Sequence, residues 1–288
     1  MNSFKKIRTV FKETFAAFFE ERAHLHAATI SYYTLFAMIP LLYLVVVSFG
    51  RILGEEFCIR VITDLFKKNI GLNDIHLFTD YIININQRSQ SWLLNLSMIA
   101  ALLYSCSAFM VSLKHSMNDF FDIEPNQQRK INVFLELLKF RFLSLSYLAL
   151  IALIIFTVYF LQVFDFSILS SWFTSMHLGY LFLQYFFSIA LNFLVIAFVF
   201  KYNHDGYISW DLAAKGALVT AILLFFSQLM IKWYLQHYFF LGKGDLIGSI
   251  FILMAWVFYS AQVIFFGAKF TYIYGKNFVK TPQKSNEN

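Results

Sequence analysis

Six stretches of this chain, approximately 27–49, 92–113, 142–163, 178–200, 213–235 and 246–268, are each long and apolar enough to cross a lipid bilayer. About 20 helical residues span a hydrocarbon core of roughly 30 Å. Lipid offers no partner to a free backbone N–H or C=O, so such stretches must fold as helices. The pattern predicts an all-α polytopic membrane protein with six transmembrane helices. Composition excludes a soluble enzyme: charged residues make up only 14% of the chain, against about 25% in a soluble domain. The net charge of +6 fits loops beside anionic headgroups, so membrane lipids rather than nucleic acid are the expected partners.

Orientation follows from the basic residues. Five precede the first span, five lie in the second loop, two around the fourth and four from Lys269 onward, sixteen of the 23 Lys and Arg. Five of the remaining seven fall in the first loop. The bias places both termini in the cytoplasm of a bacterial inner membrane. Residues 1–22 lack the apolar core and small-residue cleavage site of a signal peptide. Instead Phe4, Ile7, Phe11, Phe15, Phe18 and Phe19 recur at helical spacing beside Lys5, Arg8 and Lys12. An amphipathic helix is expected over 1–26, either lying in the cytoplasmic interface or packed on the protein's own core. The membrane domain then covers 27–274, and 275–288 form a flexible polar tail.

The first outer loop is too long to lack structure of its own. Cys58, Val61, Ile62, Leu65 and Phe66 form one apolar stripe, and Ile75, Phe78, Ile82 and Ile85 form another, with Gly71, Asn73 and Asp74 between them. A helical hairpin over about 51–91 is expected, capping the outer face or lying on the outer leaflet. In the second loop a helix is expected after Pro125, with Ile131, Leu135, Leu138 and Phe142 on one face.

Three blocks carry a family likeness. The first is Ala27-Ala28-Thr29-Ile30-Ser31-Tyr32-Tyr33 with Pro40 following. The second is Tyr104-Ser105-Cys106-Ser107-Ala108-Phe109 with Asn118 after it. The third runs from Gly216-Ala217 through Tyr234 and Gly248-Ser249 to Trp256, Tyr259-Ser260-Ala261 and Gly267-Ala268. In this order they resemble the YihY family, also called the virulence-factor BrkB family, of bacterial inner-membrane proteins. The resemblance implies a transporter or envelope factor; the family also carries an older ribonuclease label. Two positions depart from the pattern. Lys269 stands where relatives usually have an acidic residue, and His204-Asp205-Gly206 replaces a Pro-Asn turn.

No Asp or Glu lies well inside a proposed span, which argues against a proton or cation relay built on a buried acid. The uncharged polar residues there either bond between helices or line a cavity near the midplane. Ser31, Tyr32, Tyr33, Asn95, Asn192, Gln228 and Gln262 are the cavity candidates, with Pro40 a candidate hinge. Since Ser31 to Thr34 make one helical turn, both tyrosines cannot share the face of the serine. Lys232 either snorkels to the headgroups or contacts a lipid phosphate. Ser105, Ser107, Ala108, Gly216, Gly248, Ser260, Ala261 and Gly267 suit close helix approach. His24 and His26 diverge on a helix and do not make a metal pair. Asp119, Asp122 and Glu124 form an acidic cluster without a partner histidine in sequence.

These features predict no catalytic residue, cofactor or metal, and an inner-membrane protein that moves or handles an amphipathic or lipidic substrate. The alternative is a non-transporting scaffold that docks envelope proteins through the outer loop, 55–88. A membrane-bound ribonuclease is the remaining reading, and it lacks a base-stacking basic groove.

Overall fold

A computed structural model describes residues 3–65, 92–124, 177–238 and 246–278. The described residues form seven helices: α1 (Ser3–Glu20), α2 (Ala23–Leu53), α3 (Glu55–Leu65), α4 (Trp92–Phe120), α5 (His177–Tyr202), α6 (Trp210–Tyr238) and α7 (Leu246–Phe278). No strand occurs among the described residues. Among the described residues three helices are long and apolar enough to cross a membrane, over Trp92–Phe120, Trp210–Tyr234 and Ile250–Phe278; the expected spans 27–49 and 178–200 are helical but not among these three. The expected span 142–163, the helix after Pro125, the second stripe of the outer hairpin and the tail from 279 lie outside the described residues.

Helix α2 packs on α4 and α7, α6 lies between α5 and α7, and α1 runs along α7. The main core, around Ala27, Phe120, Phe200, Ala217 and Phe265, draws on α2, α4, α5, α6 and α7. Alanines at its centre (Ala23, Ala27, Ala213, Ala217, Ala221) are buried completely, which lets backbones approach where bulky side chains would separate them. Helix α2 continues through Pro40, which is buried.

The break between the N-terminal helix and α2 falls at Glu21 and Arg22, so His24 and His26 belong to α2. Arg22 ends the first helix by taking the left-handed conformation, φ 51°, a region costly for a residue with a Cβ. Val10 and Thr14 of α1 are buried, with Val10 packed by Phe270 and Ile273. Ile7, Phe11, Phe15 and Phe19, spaced every four residues, remain exposed on a neighbouring face. At the other end of α2, α3 turns Cys58 and Ile62 inward against Met38, Val46, Ile252 and Leu253. The first outer stripe is thereby used within the fold.

Helices α6 and α7 meet through two glycines and two threonines. Gly216 lies under the side chain of Thr271 and Gly267 under that of Thr220, too close in each case for a Cβ. Each threonine hydroxyl donates to a glycine carbonyl of its own helix, Thr220 to Gly216 and Thr271 to Gly267, both at 2.7 Å. The hydroxyl is thus satisfied within its own helix while its oxygen, with the Cβ and methyl behind it, sits closest to the glycine of the facing helix.

Candidate functional site

Polar and charged side chains converge where α1 meets the C-terminal ends of α4 and α7 and the N-terminal ends of α2 and α6. Lys269 is at the centre. It comes from the last third of α7, is 4% exposed, and pairs with Glu21 and with Asp122, the latter at 2.9 Å. Its ammonium also lies 4.8 Å from the Tyr272 ring centroid. A buried ammonium is costly unless paired, and two carboxylates from two different turns meet that need. Both turns contain a left-handed residue that is not glycine: Arg22 follows Glu21, and Asp122 is itself left-handed, φ 50°. Burial pushes the Glu21 carboxyl above its ordinary range, against the pull of Lys269. Its second oxygen is buried without a hydrogen-bond partner.

A clasp joins α4 to the turn between α5 and α6. Asn118 donates to the Asp205 carboxylate at 2.8 Å and accepts from the Asp205 N–H at 2.9 Å, while Lys114 pairs with the same carboxylate at 2.6 Å. Partial burial raises the Asp205 carboxyl, but the Lys114 and Asn118 contacts outweigh it and hold the group below its ordinary value. Its neighbour His204 is buried, lies 2.8 Å from the Phe200 carbonyl through Nε2, and accepts from the Gly206 N–H at Nδ1. Burial keeps this ring below its ordinary pKa, and the donor aimed at Nδ1 requires a lone pair there. The His204-Asp205-Gly206 turn thus carries polar contacts of its own.

Between these two groups lies His26 of α2. Its Nδ1 is 2.9 Å from Ser116 Oγ and its Nε2 is 3.7 Å from Asp119. The same Asp119 oxygen is 3.1 Å from His115 Nδ1, so the acidic cluster, expected to lack a partner histidine, has one a single helical turn away. Phe120 and Phe265, stacked on one another, meet the imidazole together from one side. Asp119 and Asp122, neighbours in sequence, therefore serve different partners. Among the described residues no three His, Cys, Asp or Glu side chains are arranged to hold a metal ion.

The cavity and hinge candidates are distributed differently. Ser31 is buried and donates to the Ala27 carbonyl of its own helix at 2.9 Å. Tyr32 is exposed and packs on Tyr33 and Phe36. Asn95 accepts from the buried Tyr43 hydroxyl at 2.6 Å, tying α4 to α2. Asn192, Gln228, Gln262 and Lys232 are half-buried on α5, α6 and α7. The contacts that join helices run instead through Tyr43, Glu21, Lys114, Thr220 and Thr271, which sequence reasoning did not single out. Only the threonines had a signal: Gly-x3-Thr occurs at 216–220 and again at 267–271.

Fold and site together define a helical membrane protein in which the ion pairs of Lys114, Lys215 and Lys269 gather at one end of a largely apolar bundle. The chain belongs to the virulence factor BrkB family, whose sequence profile matches residues 14–288. No curated protein and no solved structure matches it.

Proposed function

We propose that this is a six-span carrier of a bacterial inner membrane, with both termini cytoplasmic, handling an amphipathic or lipidic substrate without catalysing a reaction. The observation that carries the reading is the segregation of charge. The ion pairs of Lys269, Lys114, Asp119 and Lys215 all lie at one end, the end that the basic residues of the chain assign to the cytoplasm. Between that end and the charged side chains of Glu56, Arg60 and Lys232, the described spans offer mainly apolar and uncharged polar side chains, a suitable lining for a substrate with a long apolar body. Exposed rings on the spans (Trp92, Tyr104, Phe226, Trp233, Phe251) suit contact with acyl chains and headgroups. The free stripe of α1, bordered by exposed Lys5, Arg8 and Lys12, suits a helix lying in the cytoplasmic headgroup layer.

The test is lipid movement in proteoliposomes carrying a headgroup-labelled phospholipid. Dithionite bleaching beyond the outer-leaflet share, absent from protein-free vesicles, is the expected result. Bleaching identical to the protein-free control, with and without ion gradients, would overturn the carrier reading. An envelope-docking role has less support, because α3 spends its apolar stripe on α2 and α7. Photocrosslinking from the exposed Glu56 and Arg60 separates the two: a stoichiometric partner protein would favour docking.

A further inference from the structure

We infer that His26 and Asp119 form a proton-binding site that tightens the junction of α2 and α4 at the cytoplasmic end. The argument begins at Ser116. Its hydroxyl has one proton and two neighbours at 2.9 Å, the Ser112 carbonyl and His26 Nδ1. The carbonyl can only accept, so the serine proton goes there and His26 donates from Nδ1. A neutral imidazole with its proton on Nδ1 has a bare lone pair on Nε2, and that lone pair faces the Asp119 carboxylate. Two acceptors then confront one another at 3.7 Å. That separation is too long for the hydrogen bond an N–H at Nε2 would make. One proton added at Nε2 converts the pair into a charge-assisted hydrogen bond, and neither other contact of the ring changes.

The surroundings suit this ligand. The side chains of His26 and Asp119 are 26% and 37% exposed, so water delivers the proton directly. The stacked rings of Phe120 of α4 and Phe265 of α7 pack against one side of the imidazole, limiting its reorientation. Burial holds the ring below its ordinary pKa; of its charged neighbours on α4, Asp119 favours the charged ring and His115 opposes it. From α7, one turn beyond Phe265, Lys269 has its charge met by Glu21 and Asp122. Ser116 itself is 1% exposed, too buried to serve as a nucleophile. Neither residue reaches into the middle of a span, so the site is distinct from a mid-membrane acid relay and stands whatever substrate is carried.

The experiment is nitrogen-15 NMR of histidine-labelled protein in lipid nanodiscs from pH 8 to pH 5, with the His26 signals assigned by their loss in His26→Gln. The expected result is an Nδ1–H neutral ring at pH 8 that becomes doubly protonated on acidification. In Asp119→Asn the midpoint should fall by about one unit or more, as for the loss of a close opposite charge. In His115→Gln, which leaves Asp119 in place, it should rise. An Nε2–H tautomer at pH 8 overturns the proposal. So does a ring that stays neutral to pH 5, or a midpoint unmoved by Asp119→Asn. The readout involves no substrate, so failure of the carrier reading would leave this result interpretable.

Discussion

Gly216 and Thr271 are 55 positions apart in sequence, yet the threonine side chain fills the space where a Cβ on Gly216 would stand. Gly267 and Thr220 repeat the relationship with the helices exchanged. A methyl group at either glycine must therefore push α6 and α7 apart.

Gly216→Ala and Gly267→Ala should each destabilise the protein by about 1–3 kcal/mol, the usual cost of overpacking. The paired exchange Gly216→Ala with Thr271→Gly should recover part of that loss, because it removes the clashing side chain. A double-mutant cycle on thermal unfolding in detergent reads the coupling directly. Strict additivity of the two changes would contradict the contact.

Lys269→Met should cost about 3 kcal/mol or more, since it leaves Glu21 and Asp122 facing each other without their shared cation. Lys269→Glu should be worse, bringing a third carboxylate into the same space. An acidic residue at position 269 is thus expected to harm this chain, unless Glu21 and Asp122 are neutralised with it. Yield and melting temperature of the purified variants check the order.

Arg22 and Asp122 both occupy the left-handed region but should respond differently to glycine. Arg22→Gly is expected to be stabilising by up to about 1 kcal/mol, because the Cβ penalty disappears and the exposed guanidinium forms no ion pair among the described residues. Asp122→Gly gains the same relief but loses the carboxylate that pairs with Lys269 at 2.9 Å, so its net effect should be destabilising. Opposite signs in the same melting assay are the outcome to look for.

Acidification should weaken the α4 clasp in two windows. Asp205 has a folded pKa below its ordinary 3.8, so its contribution is complete above that value and is lost as pH falls through the depressed one. His204 has a folded pKa below 6.5. The stability tied to its neutral ring is likewise full above 6.5 and lost as pH falls through the lower folded value. Hydrogen exchange at the Asp205 and Gly206 amides, followed from pH 7 downward, should accelerate first with His204. Lys114→Met should reduce the later, Asp205-dependent change.

Much of this architecture was legible before the structure. Apolar length marked α4, α6 and α7 as spans, and the Phe periodicity of residues 4–19 announced α1. Small residues at Gly216 and Gly267 signalled close approach, and the stripe at Cys58 and Ile62 marked the inward face of α3. The pairings were not legible. Lys269 reads as an isolated cation, because its partners lie 147 and 248 positions away and no local pattern encodes that distance. Asn95 read as a cavity candidate, whereas the buried Tyr43 opposite it takes its side-chain oxygen. In lipid, apolarity does not distinguish the face that meets a neighbouring helix from the face that meets acyl chains, so register had to come from three dimensions. His26 illustrates this. Two residues from His24 it suggested nothing, and only the antiparallel packing of α2 on α4 brings it to Ser116 and Asp119.

Gathering the ion pairs at one end also has an electrical consequence. Moving an elementary charge through 100 mV is worth about 2.3 kcal/mol, and under the proposed topology the pairs of Lys269, Asp205 and Asp119 lie beside the bilayer rather than within its field. Movement of these pairs should therefore carry little gating current, and a voltage-dependent rearrangement of the described helices would have to draw on Lys232 of α6 instead.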